Sequence, residues 1–234
     1  MVVLRSKGTG ANLALFAPLA RRRSISCPQR MFEQTPARQA ALRRALTRLS
    51  SPSVQMVSLA YLSPEEVDAL RQLSLKQDFR QAQSKINYKG RSVSQDFDVC
   101  FPAPRIDAFD QLAHLLEDGM RNVTSAALQP PPSFTLNDFA IQNYPAGSKG
   151  IGIHRDGARY HHIVVIINLA GGSRLFTCDD RNGHNKRRVN DQPGRIVLLS
   201  ATGFCGADDA SVRPLHGVDR VGRGRLSIGL RFQP

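Results

Sequence analysis

Three side chains stand out as able to do chemistry together. His154 and Asp156 flank Arg155 at the end of Gly150-Ile151-Gly152-Ile153, and a further imidazole, His216, sits in Pro214-Leu215-His216-Gly217. Side chains two apart on an extended strand project to one face. The imidazole and the carboxylate can therefore converge on a single ion while Arg155 points away. Two imidazoles and one carboxylate on one side of a metal leave coordination positions open, and that donor set suits non-haem Fe(II). A lone His-x-Asp also arises as a surface ion pair, so the weight rests on its surroundings. Downstream, Arg225, Ser227 and Arg231 share a parity along Arg225-Leu226-Ser227-Ile228-Gly229-Leu230-Arg231 and project to one side. Inward-facing arginines in an apolar strand need anions, because an unpaired buried charge is costly. A metal-bound dicarboxylate would supply two, and the guanidinium fork matches a carboxylate bidentately. The alternative is that both arginines pair with acids elsewhere in the fold.

Other chemistry-bearing residues have a plainer reading beside the functional one. His161 and His162 follow Tyr160, but adjacent strand residues face opposite sides, so at most one could join the first site. A strand edge or substrate rim suits them better. His184 lies in the basic, turn-rich run Asn182-Gly183-His184-Asn185-Lys186-Arg187-Arg188. That run is either a solvated hairpin tip or a phosphate contact at the mouth of a site, which makes Lys186, Arg187 and Arg188 candidate substrate contacts. The four cysteines, Cys27, Cys100, Cys178 and Cys205, form no CxxC pair, so a zinc ribbon has no support and packing or surface thiols are expected.

The elements that must hold these residues divide the chain in two. Leu42, Ala45, Leu46 and Leu49 share a face of a helical stretch over residues 36–50 that Ser51-Pro52-Ser53 ends. Ser63-Pro64-Glu65-Glu66 is a capping box with Pro at the first helical position, opening a helix to about Leu75. A third helix is expected from Asp107 to about Ala127, with Phe109, Leu112, Leu115, Leu116 and Met120 on one stripe. After the prolines at 130–132 the pattern changes. Phe134–Tyr144, Gly150–His154, His162–Leu169, Arg174–Thr177, Arg195–Leu199 and Arg225–Phe232 read as strands separated by Gly-, Asn- and Asp-rich turns. Helices followed by a run of short strands argue an α+β fold whose strands form a sandwich or jelly roll.

From Phe139 to Phe232 the sequence resembles the Fe(II)- and 2-oxoglutarate-dependent dioxygenases, and within them the AlkB-like group. Four pieces occur in order: Gln142-Asn143-Tyr144-Pro145-Ala146-Gly147, resembling an Asn-x-Tyr-x-x-Gly segment; His154 and Asp156; His216; and Arg225-Leu226-Ser227 through Arg231. The resemblance implies a double-stranded β-helix with N-terminal helices packed outside. It implies Fe(II) held by His154, Asp156 and His216. It implies 2-oxoglutarate as cosubstrate, with Arg225, Ser227 and Tyr144 on its C5 carboxylate and Arg231 on the C1 side. Gln142 takes the place of the family's Asn, with Asn143 beside it as the alternative. The activity implied is hydroxylation or oxidative demethylation with dioxygen, releasing succinate and CO2, and an alkylated nucleic-acid base is the substrate that the AlkB-like likeness suggests. A protein side chain or small metabolite is the alternative substrate. A non-catalytic β-sandwich module or a zinc-dependent hydrolase is the alternative reading of the site, and the paired arginines argue against both.

Charge adds little to the nucleic-acid reading. The net charge is +13, but residues 1–50 hold ten Lys/Arg against one acid, which leaves twenty-two against eighteen over residues 51–234. Aromatics are 6% and Trp is absent, which is thin for a single-strand binder built on stacking platforms. Residues 1–32 carry Arg5, Lys7, Arg21, Arg22, Arg23 and Arg30 and no acid, with an apolar stretch over 11–20 broken by Pro18. Such a leader resembles an organellar transit peptide, which would place the protein in a mitochondrion or plastid. A flexible basic tail, or Met31 as the true initiator, would leave it cytoplasmic or nuclear. No apolar run reaches the roughly 18 residues that cross a bilayer, so no membrane-spanning helix is expected. The organisation expected is a basic leader over 1–32, a helical part over 33–133 and the dioxygenase core over 134–234.

Overall fold

The structure, a computed structural model, describes residues 31–88, 90–207 and 210–234. The leader expected over residues 1–32 lies outside them except for Met31 and Phe32, and Phe32 is buried in the core. Three helices form where the sequence places them. In α1 (Pro36–Leu49) the Thr35 hydroxyl accepts from the amide of Arg38, and Leu42, Ala45, Leu46 and Leu49 are buried. In α2 (Pro64–Leu75) both halves of the capping box are made: Ser63 Oγ accepts from the Glu66 amide, and the Glu66 carboxylate accepts from the Ser63 amide. The Glu66 carboxylate also takes the Arg38 guanidinium of α1, which ties the two helix starts together. Helix α3 (Asp107–Arg121) is capped at Asn122, short of the expected Ala127, and a 3-10 turn at Ala126–Leu128 follows.

The stretch 33–133 also carries five strands besides its helices: β1 (Met56–Ala60), β2 (Arg80–Gln81), β3 (Lys85–Tyr88), β4 (Arg91–Asp96) and β5 (Asp98–Cys100). Most are short and largely polar, as edge positions allow, so their own periodicity is weak. The later strands are β6 (Asp138–Tyr144), β7 (Gly150–His154), β8 (His161–Gly171), β9 (Arg174–Cys178), β10 (Arg187–Arg188), β11 (Arg195–Ser200), β12 (Leu215–Asp219) and β13 (Arg225–Phe232). They build two antiparallel sheets, a seven-stranded one in the order β1-β11-β8-β13-β6-β5-β2 and a six-stranded one in the order β10-β9-β12-β7-β4-β3. The result is an α+β jelly roll with the helices on one outer face.

The larger sheet is buried on both sides, and its sequence shows why. In β8, Ile163, Val165 and Ile167 pack with the helices, while Val164 and Ile166 face the space between the sheets. In β11, Ile196 and Leu198 take the helical side, and Val197 and Leu199 the inner side. Strands of this kind read as continuous apolar runs because both parities must be apolar. β13 follows the same rule on its outer parity, with Leu226, Ile228, Leu230 and Phe232 in the helix-packed core. Its inner parity is polar, and that exception marks the site.

Candidate metal centre

β7 and β12 lie side by side in the smaller sheet, and His154 pairs directly across from His216. The next pair is Ile151 with Val218, so three residues of β7 span what two residues of β12 span. This bulge reverses the parity of β7. Ile151 and His154 both face inward, while Ile153 packs outside with Phe176, Cys178 and Leu215. An extra residue beside an active site re-aims a side chain in this way. Gly150 (φ +82°) sits in the same turn of chain, where a Cβ would lie 1.9 Å from the Val218 carbonyl oxygen. β12 itself does not stand among the strands expected from the sequence, because Leu215-His216-Gly217-Val218-Asp219 is short and carries two polar residues and a glycine.

The two imidazole rings lie 4.3 Å apart between centroids, and His216 Nε2 is 3.7 Å from Asp156 Oδ2. One ligand atom from each of His154, Asp156 and His216 falls within 4.8 Å of the others. His154 Nδ1 donates to the Gly152 carbonyl at 2.9 Å, and His216 Nδ1 donates to the Pro214 carbonyl at 3.2 Å. A carbonyl can only accept, so each proton sits on Nδ1 and each Nε2 lone pair is free, the arrangement usual for metal-ligating imidazoles. Burial, reinforced by His216, lowers the His154 pKa to about 4, so this ring is neutral at pH 7. Burial would raise the Asp156 pKa, but His216, Arg231 and His154 overcome it and the carboxyl stays below its ordinary range. A neutral imidazole and an ionised carboxylate are the protonation states that bind a divalent cation.

The triad lines a pocket together with Gln142, Tyr144, Arg225, Arg231 and apolar side chains that include Ile151, Val164 and Leu175. β13 pairs with β6 so that Arg225 is opposite Tyr144 and Ser227 opposite Gln142. The Tyr144 hydroxyl donates to Gln142 Oε1 at 3.2 Å, and burial raises the Tyr144 pKa above its ordinary value, so the phenol stays protonated. Asn143, of the other parity, does not line the pocket, and Ser227 is buried on β13 without reaching its lining. Each arginine has an acid. Arg225 Nη1 pairs with buried Asp191 and donates to Ser173 Oγ at 3.0 Å. Arg231 Nη1 is 3.2 Å from Asp138 Oδ1, and its Nε is 3.7 Å from Asp156 Oδ1. Each also keeps a buried Nε without a hydrogen-bond partner. Asp138 was legible in principle, since it stands opposite Arg231 on β6. Asp191 lies in a polar loop with no local signal.

The other candidates do not converge on this point. Lys186 Nζ is 3.7 Å from Asp219 Oδ2 and 4.4 Å above the Phe176 ring, and Arg187 pairs with Asp179 at 2.7 Å. Arg188 is exposed on β10, and His184 Nδ1 is held by Asp180 at 2.5 Å. His161 bridges to Thr202, and the His162 ring stacks on Phe232 at 6.1 Å. Cys178 packs on the outer side of the sheet and Cys205 is exposed.

No protein-family model matches this sequence, and no curated protein does. Solved structures do match in fold. A prolyl-4-hydroxylase of Pseudomonas putida superposes with a TM-score of 0.56 at 18% identity, over 82% of this chain and 99% of that one. A prolyl hydroxylase of Trichoplax adhaerens, in complex with a hypoxia inducible factor oxygen degradation domain peptide fragment, gives 0.60 at 15% identity over 86% and 94%. A Burkholderia pseudomallei oxidoreductase of the 2OG-Fe(II) oxygenase family gives 0.54 at 14% identity over 86% and 93%. At these identities the likeness is one of fold.

Proposed function

We propose that this protein is an Fe(II)- and 2-oxoglutarate-dependent dioxygenase. One observation carries the reading. Two imidazoles with their Nδ1 protons committed to backbone carbonyls and one ionised carboxylate meet at a single point on a pocket lined by buried Arg225 and half-buried Arg231. The donor set suits Fe(II) and leaves positions open. The Nε–H of Arg225, buried without a hydrogen-bond partner, is a deficit that a bound carboxylate would remove, and the Nε–H of Arg231 has only Asp156, at 3.7 Å. Their existing acids do not compete with this, since each occupies only part of a five-donor fork.

In this reading His154, Asp156 and His216 hold the iron. Arg225 takes the distal carboxylate of 2-oxoglutarate, with Tyr144 and Gln142 beside it, and Arg231 balances charge next to Asp156. Iron and 2-oxoglutarate, when bound, supply oxidation of a substrate C–H bond coupled to decarboxylation of the keto acid. The chain's own part is orientation and exclusion of water. Asp191 and Ser173 fix the Arg225 guanidinium, the backbone carbonyls fix both rings, and Val164, Leu175 and Val218 keep the chamber apolar.

The substrate reading divides. Oxidative demethylation of a nucleic-acid base follows the AlkB-like resemblance of the Arg225–Arg231 strand. The Lys186–Arg188 loop lends it less than its charge suggests, because Lys186 and Arg187 already have acids. Hydroxylation of a peptide side chain is the second reading, in keeping with a fold shared with prolyl hydroxylases. The test is succinate release from 2-oxoglutarate with Fe(II), run with methylated oligonucleotides and with proline-containing peptides. No turnover with any of them, together with no 2-oxoglutarate binding, would sink the oxygenase reading.

A further inference from the structure

Beside the loop that carries Asp156, the six-stranded sheet bears a row of cations that the proposed chemistry does not use. β9, β12, β7 and β4 are successive neighbours in that sheet. At the end where β7 delivers His154, each contributes an arginine. Arg181 follows β9, Arg213 precedes β12, Arg155 follows β7 and Arg91 opens β4. The ladders bring them level. Cys178 pairs with Leu215, His216 with His154, and Gln95 with Ile151, and each ladder continued a few residues reaches an arginine. Arg155 Nε donates to the Arg213 carbonyl at 2.8 Å, and Arg213 Nη1 donates to the Asp156 carbonyl at 2.7 Å. Arg181, Arg213 and Arg91 all lie near enough to Arg155 for their charges to act on it. With strands about 4.8 Å apart, four of them span about 14 Å.

Some cations of this sheet are neutralised, though Arg188 on β10 and Lys85 on β3 are in no ion pair among the described residues. Arg174 and Lys186 share Asp219, and Arg187 has Asp179. No ion pair among the described residues includes Arg91, Arg155, Arg181 or Arg213. Arg213 Nε is buried with no hydrogen-bond partner. Like charges that make no ion pair, with only the Asp156 carboxylate near Arg213 and with one unused buried donor, form a site in want of a multivalent anion. A carboxylate occupies one guanidinium fork. A phosphate carries about two charges and three acceptor oxygens and can take several forks at once.

We infer that Arg91, Arg155, Arg181 and Arg213 form a phosphate-binding subsite on the six-stranded sheet, next to the metal centre. It rests on the oxygenase reading only for the further statement that the phosphate belongs to the substrate, as a small phosphoester or as a phosphodiester of a strand. Arg91 and Arg181 are exposed and hold no metal ligand, so their replacement tests the site without dismantling it.

The experiment compares the full chain with its Arg91→Ala/Arg181→Ala double variant, so that cations elsewhere contribute equally to both. Binding of tripolyphosphate, of citrate and of a single-stranded oligonucleotide is measured across salt concentrations, and Fe(II) and 2-oxoglutarate binding alongside. The expected result is at least about tenfold weaker tripolyphosphate binding in the variant, little response to citrate in either, and unchanged Fe(II) and 2-oxoglutarate binding. A strand as the phosphate source would also show a salt slope lower by about 1.4 in the variant. A slope that does not change, with tripolyphosphate weakened, assigns the small phosphoester. Equal tripolyphosphate binding by variant and parent, no binding by either, or citrate binding as well as tripolyphosphate would overturn the inference. Loss of Fe(II) binding in the parent with phosphate binding intact would overturn the oxygenase reading instead.

Discussion

His154 carries two constraints at once: it must face inward to meet the metal, and it must be neutral to bind it. Its folded pKa of about 4 lies below the ordinary 6.5, with burial as the main cause and His216 next. The unfolded chain therefore binds more protons between these values, and the metal-free protein loses stability as pH falls from about 6.5 toward 4. Asp156 acts in the opposite range. Its depressed pKa confers stability above its ordinary value of 3.8 that is lost only below it. Thermal melts of the metal-free protein against pH should show the first window, and a His154→Gln variant should flatten it. Replacing His154 or Asp156 by Ala should remove Fe(II) binding measured by calorimetry, and full binding in Asp156→Ala would exclude it as a ligand. Arg225→Ala leaves buried Asp191 without its cation, so it should cost about 3–5 kcal/mol of stability as well as 2-oxoglutarate affinity. Adding Asp191→Asn should restore much of the stability and none of the affinity, which separates the two roles of Arg225.

The β7–β12 pair is the element on which the site depends, since its bulge turns His154 inward opposite His216. Gly150 makes that geometry reachable. Gly150→Ala would strain a positive φ by roughly 1–3 kcal/mol and drive a Cβ into the Val218 carbonyl. The strands must part, so the expected result is a lower Tm together with weaker metal binding. Gly222→Ala, whose Cβ meets nothing within 4 Å, serves as the neutral control. The helices behave differently. Ser63→Ala removes the α2 cap at a cost of about 0.5–2 kcal/mol and should leave Fe(II) affinity unchanged, because α2 packs on the far face of the larger sheet. A capping variant that lost metal would show that the helical layer sets the position of the triad.

For the molecule as a whole, Met31–Pro234 forms one compact unit. A chain beginning at Met31 should bind Fe(II) and 2-oxoglutarate and melt like the full chain. Phe32→Ala in that shorter chain should instead cost roughly 3–5 kcal/mol, as for other buried aromatics, because Phe32 is 6% exposed within the helix-packed core. A large loss of stability on removing residues 1–30 alone would show that the compact unit depends on them.

The sequence by itself determined the helices, the four central strands of the larger sheet (β11, β8, β13 and β6) and the types of residue at the site. Capping boxes and apolar stripes are local, and a sheet buried on both faces must be apolar at every position, so Ile163–Ile167 and Ile196–Leu199 declare themselves. The polar parity of β13 likewise marks Arg225 and Arg231 as inward-facing. What tertiary structure decided is pairing. β12 becomes a strand because β7 and β9 flank it, not because Leu215–Asp219 is apolar. His154 and Ile151 share a face because of a bulge that exists only between two strands, and the simple two-residue alternation would have put them on opposite sides. Asp191 reaches Arg225, and Asp219 quiets Lys186, across loops whose sequences carry no periodicity. Ion pairs of this kind join residues distant in the chain, and no local pattern encodes which acid will meet which base.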